Sequence, residues 1–414
     1  VQSDCGASSL SSVASPQRVL SGMRPTGRLH LGHYHGVLKN WVTLQHEYDC
    51  YFFVADWHAL TTHYDDPSQL EASTMDMVVD WLAAGPNPKA ATLFVQSAMP
   101  EHAELHLLLS MMTPLGWLER VPTYKDQQEK LKEKDLATYG FLGYPLLQAA
   151  DILLYRAGLV PVGADQVSHV ELTREVARRF NHLFGREPGF EQAVEAAVVK
   201  MGKKAAKVYI DLRKRYQETG DAAALETAQA LVRDQQNITL GDKERLLGSI
   251  EGSGKIILPE PQALLTPAAK MPGLDGQKMS KSYGNTIALR EAPDDVDAKI
   301  RKMPTDPARI RRTDAGNPDV CPVWQLHEVY SDEQRKQWVQ EGCRSAGIGC
   351  LECKKPVIDA INAELVPMRQ RGREFEQAPD MLLSVLAEGA ERARETAANT
   401  LADVRQALGL AYRR

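Results

Sequence analysis

Two stretches carry residues suited to phosphate chemistry: PTGRLHLGHYHGVL at 25–38 and QKMSKSYGN at 277–285. In the second, Lys278 and Lys281 are separated by Met279 and Ser280 and followed by Ser282. An ammonium is costly to bury without a partner. The pair reads either as a solvated basic turn or as a mobile loop that sets two point charges on a polyphosphate, helped by the Ser280 and Ser282 hydroxyls. In the first stretch, Pro25 and Gly27 predict a tight turn, with a helix beginning near His30. Gly32 permits close approach to that helix, and His30 and His33 fall on one face of it. Three readings of the histidines stand: packed or surface side chains, a zinc pair lacking a third ligand, or donors to a phosphate at a helix N-terminus. Four of the six cysteines, Cys321, Cys343, Cys350 and Cys353, lie close together toward the C-terminus, the last two as C-x-x-C. By ligand count they suit zinc or an iron–sulfur cluster equally, with unrelated thiols as the third reading. Asp151, alone among the apolar residues of AADILLY, is a buried acceptor or the structural partner of a cation.

Positioning these groups falls to alternating strands and helices. A strand is expected from 18, and DCYFFVADWHALTT and ATLFVQSAM read as buried strands. A helix is expected at about 67–84, and GYPLLQAADILLYRAG reads as another. A short VPV strand, the turn GADQ and a further helix follow. The pattern predicts an α/β fold, a Rossmann-like doubly wound parallel sheet. GADQ, 163–166, then falls at the carboxyl end of a strand, where ligands collect. The Ala-, Lys- and Glu-rich segment 191–255 is expected as a helical insert in a nucleotide-binding domain spanning 18–300. Strand signals vanish beyond, so 301–414 is expected as an all-α domain. Residues 1–17 read as a disordered, Ser-rich tail without the basic and apolar regions of a secretory signal, and the initial Val suggests trimming. The net charge of -5 argues against a general nucleic-acid coat. No apolar run approaches the ~20 residues of a membrane span. A cytoplasmic protein is expected.

HLGH followed by KMSKS resembles the paired signatures of class I aminoacyl-tRNA synthetases. FVADWHALTTH, GWLERVPTYK, GYPLLQAADILLY, VPVGADQVSHVELTREVARRFN and PMRQRG narrow the resemblance to the bacterial tryptophanyl-tRNA synthetases, over roughly 18–190 and 256–412. The tyrosyl family is the alternative, and a non-catalytic tRNA- or nucleotide-binding relative is disfavoured because both signatures are intact. The resemblance implies activation of L-tryptophan by ATP with Mg2+, transfer to tRNA(Trp), and a homodimer. It gives His30 and His33 to the α-phosphate, and Lys278, Lys281 and Lys125 to the leaving pyrophosphate. Arg24, Pro25, Thr26 and Gly32 would form the ATP-contacting turn, with Arg24 where other members have Gln. Met279, Ser280 and Ser282 complete the loop on ATP. Gly163, Ala164 and Asp165 would hold the ribose, and Tyr144 and Gln166 the amino group. Asp151 would accept the indole N–H in a slot lined by Leu20, His58, Gln148, Val160 and Val162, with Gln148 where Met is frequent. A tyrosine hydroxyl could reach the same carboxylate; Ala150 and the apolar flanks favour tryptophan. The cysteines resemble a subset of the family with a four-iron–four-sulfur (4Fe-4S) cluster, zinc being the alternative, stapling the helical domain near where it reads the anticodon. ARIRR, 308–312, is either a stripe for tRNA phosphates or a solvated face.

Overall fold

A computed structural model describes residues 17–122, 138–163, 166–186, 189–265 and 271–412. The apolar runs RVLSGM, DCYFFV and ATLFV form β1 (Arg18–Met23), β2 (Asp49–Val54) and β3 (Ala91–Val95). With β4 (Leu159–Val162) and β5 (Gln262–Leu265) they make one sheet in the order β3-β2-β1-β4-β5, every pairing parallel. The order reverses beside β1, which opens a crevice at the carboxyl ends of β1 and β4. Strand periodicity splits β2 between two cores. Cys50, Phe52 and Val54 join Trp41 and Trp81 on one face, while Tyr51 and Phe53 join Phe94 and Tyr155 on the other.

Two boundaries differ from the sequence reading. The apolar run expected to continue through ADWHALTT stops at Val54, and Asp56–His63 is a helix. Asp56 makes the break: its Oδ1 accepts from the backbone N–H groups of Trp57 and Ser97 at 3.0 Å each. β5 was not anticipated, because QALL has no β-branched residue and its strand character comes from pairing with β4.

The insert folds as Phe190–Lys200, Lys203–Thr219, Ala222–Arg233 and Leu240–Ile250 around a core of its own that includes Val194, Tyr209 and Leu246. The later helices instead share the cores of the sheet. Ile358 and Leu365 of helix Cys350–Glu376 enter the first, and Ala393, Leu401 and Val404 of helix Pro379–Ala407 enter the second. Among the described residues no helix is long and apolar enough to cross a membrane.

Candidate active site

β1 runs into the turn Arg24-Pro25-Thr26-Gly27, where Gly27 takes a left-handed φ of 87°. Pro25 is buried, and Arg24 and Thr26 are exposed. Leu29 then donates its N–H to Asp80 Oδ2 at 2.7 Å. His30 caps the following helix: its Nδ1 accepts from Gly32 N at 3.1 Å, and His33 Nδ1 accepts from His30 N at 3.2 Å. A nitrogen that accepts carries no proton, so these backbone donors assign the proton of each neutral ring to Nε2. The ring centroids are 3.9 Å apart. Burial, with Lys281 beside it, lowers the His30 pKa to about 4. Burial, then His30, Lys281 and Lys278, lower that of His33 to about 3. Near neutral pH both rings are therefore uncharged donors. Gly32 is required here, since a Cβ would stand 2.9 Å from the His30 ring.

The lysine loop docks on this turn. Met279 is buried in the first core and Asn285 braces the backbone, accepting from Ser280 N and donating to Asp275 Oδ1, both at 2.7 Å. Lys281 Nζ donates to Thr26 O at 2.8 Å, to Gly27 O at 3.0 Å and to Thr26 Oγ1 at 3.2 Å. Burial lowers its pKa, opposed by Asp80 and Asp76. Lys278 and Ser282 are exposed. The two lysines thus differ: one is tied to the turn after β1, and the other faces solvent.

Asp151 lies on helix Tyr139–Leu154 and is 1% exposed. Its Oδ2 is 2.8 Å from His58 Nε2, and its Oδ1 is 2.7 Å from His102 Nδ1 and 2.8 Å from Gln96 Nε2. His102 Nε2 reaches Tyr155 Oη at 2.8 Å. Burial opposes ionisation, but the bonds from His102 and His58 prevail and hold Asp151 well below the usual carboxylate range. Leu20, Ala150, Val160 and Val162 share the surrounding core. Tyr144 Oη faces His169 Nε2 at 3.4 Å, and Gln148, Gly163 and Gln166 are half-buried nearby in the chain. The sequence reading missed Gln96, His102 and Tyr155. The available signal was position: Gln96 directly follows β3, and His102 opens the next helix, Glu101–Ser110. A cavity of about 440 Å3 lined by Trp57, Leu60, Tyr64, His106, Tyr139 and Leu147 borders the predicted slot without including its residues. Lys125, Ala164 and Asp165 lie outside the described residues.

The cysteines come from three helices and their flanks. Cys321 precedes Pro322–Tyr330, Cys343 is in Glu333–Arg344, and Cys350 and Cys353 open Cys350–Glu376. They face one another: burial, then the other three thiols, push Cys353 up to about 12. Yet among the described residues no three or more His, Cys, Asp or Glu side chains are placed to hold a metal ion. The expected ligand set Cys321, Cys343, Cys350 and Cys353 is gathered without being arranged as a metal centre. Its sulfurs take other neighbours, Cys353 Sγ at 3.4 Å from His327 Nε2 and Cys343 Sγ at 3.8 Å from Arg309 Nη1.

Residues 12–222 and 226–366 match the family model of class I tRNA synthetases (W and Y). The chain is 66% identical over 397 residues to the tryptophan–tRNA ligase of Ralstonia nicotianae, covering 96% of this chain and 99% of the relative. It is 43% identical to that of Thermotoga maritima, covering 95% and 100%. The crystal structure of the Campylobacter jejuni tryptophanyl-tRNA synthetase complexed with ADP and tryptophan superposes with a TM-score of 0.71 at 27% identity, over 95% of this chain and 100% of that one.

Proposed function

The chain belongs to the class I tRNA synthetases for tryptophan and tyrosine, and from this we infer how its site works as an ATP-dependent tryptophan–tRNA ligase. The carrying observation is the docking of the lysine loop on the turn that leads into HLGH, Lys281 on the backbone of Thr26 and Gly27, beside the neutral pair His30 and His33. The tryptophan carboxylate attacks the α-phosphorus of ATP; the new O–P bond forms as the bond to the pyrophosphate oxygen breaks. The carboxylate is already ionised, so this step requires no general base. The protein's task is to position the reactants and stabilise charge on phosphate oxygens. The Nε2–H groups of His30 and His33 donate at the α-phosphate. Lys281, Lys278 and Lys125 hold the pyrophosphate, and magnesium enters with ATP as a counter-charge. Residues 163–165 take the ribose, and Tyr144 and Gln166 the amino group. A tRNA(Trp) ribose hydroxyl then displaces AMP from the adenylate.

Asp151 is assigned the indole N–H, with Leu20, His58, Gln148, Val160 and Val162 lining the ring. Its support is a buried, ionised carboxylate with one oxygen less occupied than the other. ATP–pyrophosphate exchange with each amino acid in turn tests the assignment. Tryptophan alone should support exchange at micromolar to millimolar concentration; exchange with tyrosine instead would contradict it.

The four cysteines are assigned a four-iron–four-sulfur cluster on their number and spacing in the sequence, which resemble the family subset carrying one, although the structure does not arrange them as a metal centre. Such a group would staple three helical segments. Iron and sulfide analysis of anaerobically prepared protein, with absorbance near 400 nm, should show it; stoichiometric zinc in colourless protein would select the other occupant. A homodimer is implied by the family, and Leu107, Met111, Leu115 and Tyr139, each more than half exposed, are apolar side chains such an interface could bury. Sedimentation should give a dimer that Met111→Glu weakens; a wild-type monomer would contradict this.

A further inference from the structure

An ionised carboxylate has about four lone-pair sites, and Asp151 engages three donor groups unevenly. Oδ1 is bonded to both Gln96 and His102, Oδ2 to His58 alone. The Oδ1 partners are fully buried: Gln96 and His102 are each 0% exposed. His102 is held at its far nitrogen by Tyr155, whose ring stacks on Tyr51 with centroids 5.0 Å apart. Because Asp151 only accepts, His102 presents Nδ1–H to it and its Nε2 accepts the Tyr155 hydroxyl proton. Gln96 adds a second sign of purpose. Its Oε1 is buried without a hydrogen-bond partner, while its Nε2 faces Asp151. Turning the amide over would set two acceptors against each other, so the orientation that strands the oxygen is the one that delivers a donor to Asp151.

We propose that Gln96 and the Tyr155–His102 pair are specificity-determining positioning residues: by saturating Oδ1 they lock the carboxylate so that Oδ2 is the oxygen left to receive the indole N–H. The inference rests on the reading of Asp151 as the indole acceptor. Its consequence concerns discrimination more than affinity. A ligand without the N–H leaves Oδ2, fixed and desolvated, with His58 as its one donor and a lone-pair site unfilled, and such a site disfavours it. Were the carboxylate free to turn, Oδ2 could gain a second donor beside His58 and the rejection would weaken.

The experiment compares kcat/KM in ATP–pyrophosphate exchange for tryptophan and for 3-(benzothiophen-3-yl)alanine, in which sulfur replaces the N–H. Wild type should prefer tryptophan by about 100-fold or more. His102→Leu should cut that ratio by about 10-fold, leave the KM for ATP unchanged, and be partly rescued in His102→Asn, whose amide N–H can replace Nδ1–H. Tyr155→Phe removes one hydroxyl and carries the test if His102→Leu does not fold; its ratio should fall by about 3-fold or more. Variants that lose overall activity while keeping the wild-type ratio would overturn the inference, leaving His102 a packing residue. A wild-type ratio near one would instead overturn the assignment of Asp151 itself.

Discussion

A phosphate approached by His30 and His33 meets two N–H donors and no additional charge, because burial and the neighbouring lysines keep both rings neutral. On the proposed reading, cationic stabilisation falls to Lys278 and Lys281 of the loop and to Lys125. The pKa values carry a sign. His30 at about 4 and His33 at about 3 lie below the unfolded value near 6.5, so the unfolded chain takes up protons first on acidification. The stability these rings contribute is complete above pH 6.5 and is lost as pH falls toward 4. Chemical unfolding monitored between pH 7 and 4 should show this loss, diminished in His33→Gln. Exchange activity should show no histidine-dependent break between pH 6 and 8. A break near 6.5 that disappears in His33→Gln would contradict the neutral pair. At this scale the sequence was informative where residues are close in the chain: it placed a helix start near His30 with His33 one turn on, though not the reciprocal cap between them. His102 was not legible, because its partner Asp151 is 49 positions away and nothing in a lone histidine announces a buried carboxylate.

Among the elements, strands with apolar residues on both faces were readable, whereas β5 and the helix Asp56–His63 depended on contacts that composition does not carry. Helix Pro379–Ala407 shows the same limit. Its small-residue face, Gly389, Ala390, Ala393 and Ala397, tells of close approach but not of the surface approached. The structure puts it across β3, where a Cβ on Gly389 would lie 1.7 Å from the carbonyl oxygen of Leu93. Backbone cannot yield as a flexible side chain does. Gly389→Ala should therefore lower unfolding stability by about 1–3 kcal/mol or more, read from a denaturant midpoint. Unchanged stability would mean that the helix lies farther from the strand.

Across the whole molecule, Arg290 joins parts that no local pattern relates. Its side chain is 5% exposed and bonds Asp80 and Asp76 on helix Leu70–Ala84 and Glu376 at the end of Cys350–Glu376. Asp80 in turn holds the N–H of Leu29, one residue before His30. A second link runs from His35 Nε2 to Tyr330 Oη at 3.1 Å and Glu364 Oε2 at 3.0 Å. The C-terminal helices are thereby connected to the backbone that aims the histidines. Arg290→Met removes the cation and leaves buried Asp80 without its guanidinium partner, held by the Leu29 N–H, which should cost about 3–5 kcal/mol of stability. In exchange assays kcat should fall more than the KM for tryptophan rises; an unchanged kcat would show that the link does not reach the site.

Lys281 spends its three N–H groups on Thr26 and Gly27 and must exchange some of them for phosphate oxygens when ATP binds, so single-turnover formation of tryptophanyl-adenylate by Lys281→Ala is the measurement to make. The rate should be lower by about 100-fold or more, with the Kd for tryptophan unchanged. A rate within a few-fold of wild type would remove Lys281 from the chemistry and leave its bonds to Thr26 and Gly27 a structural tie.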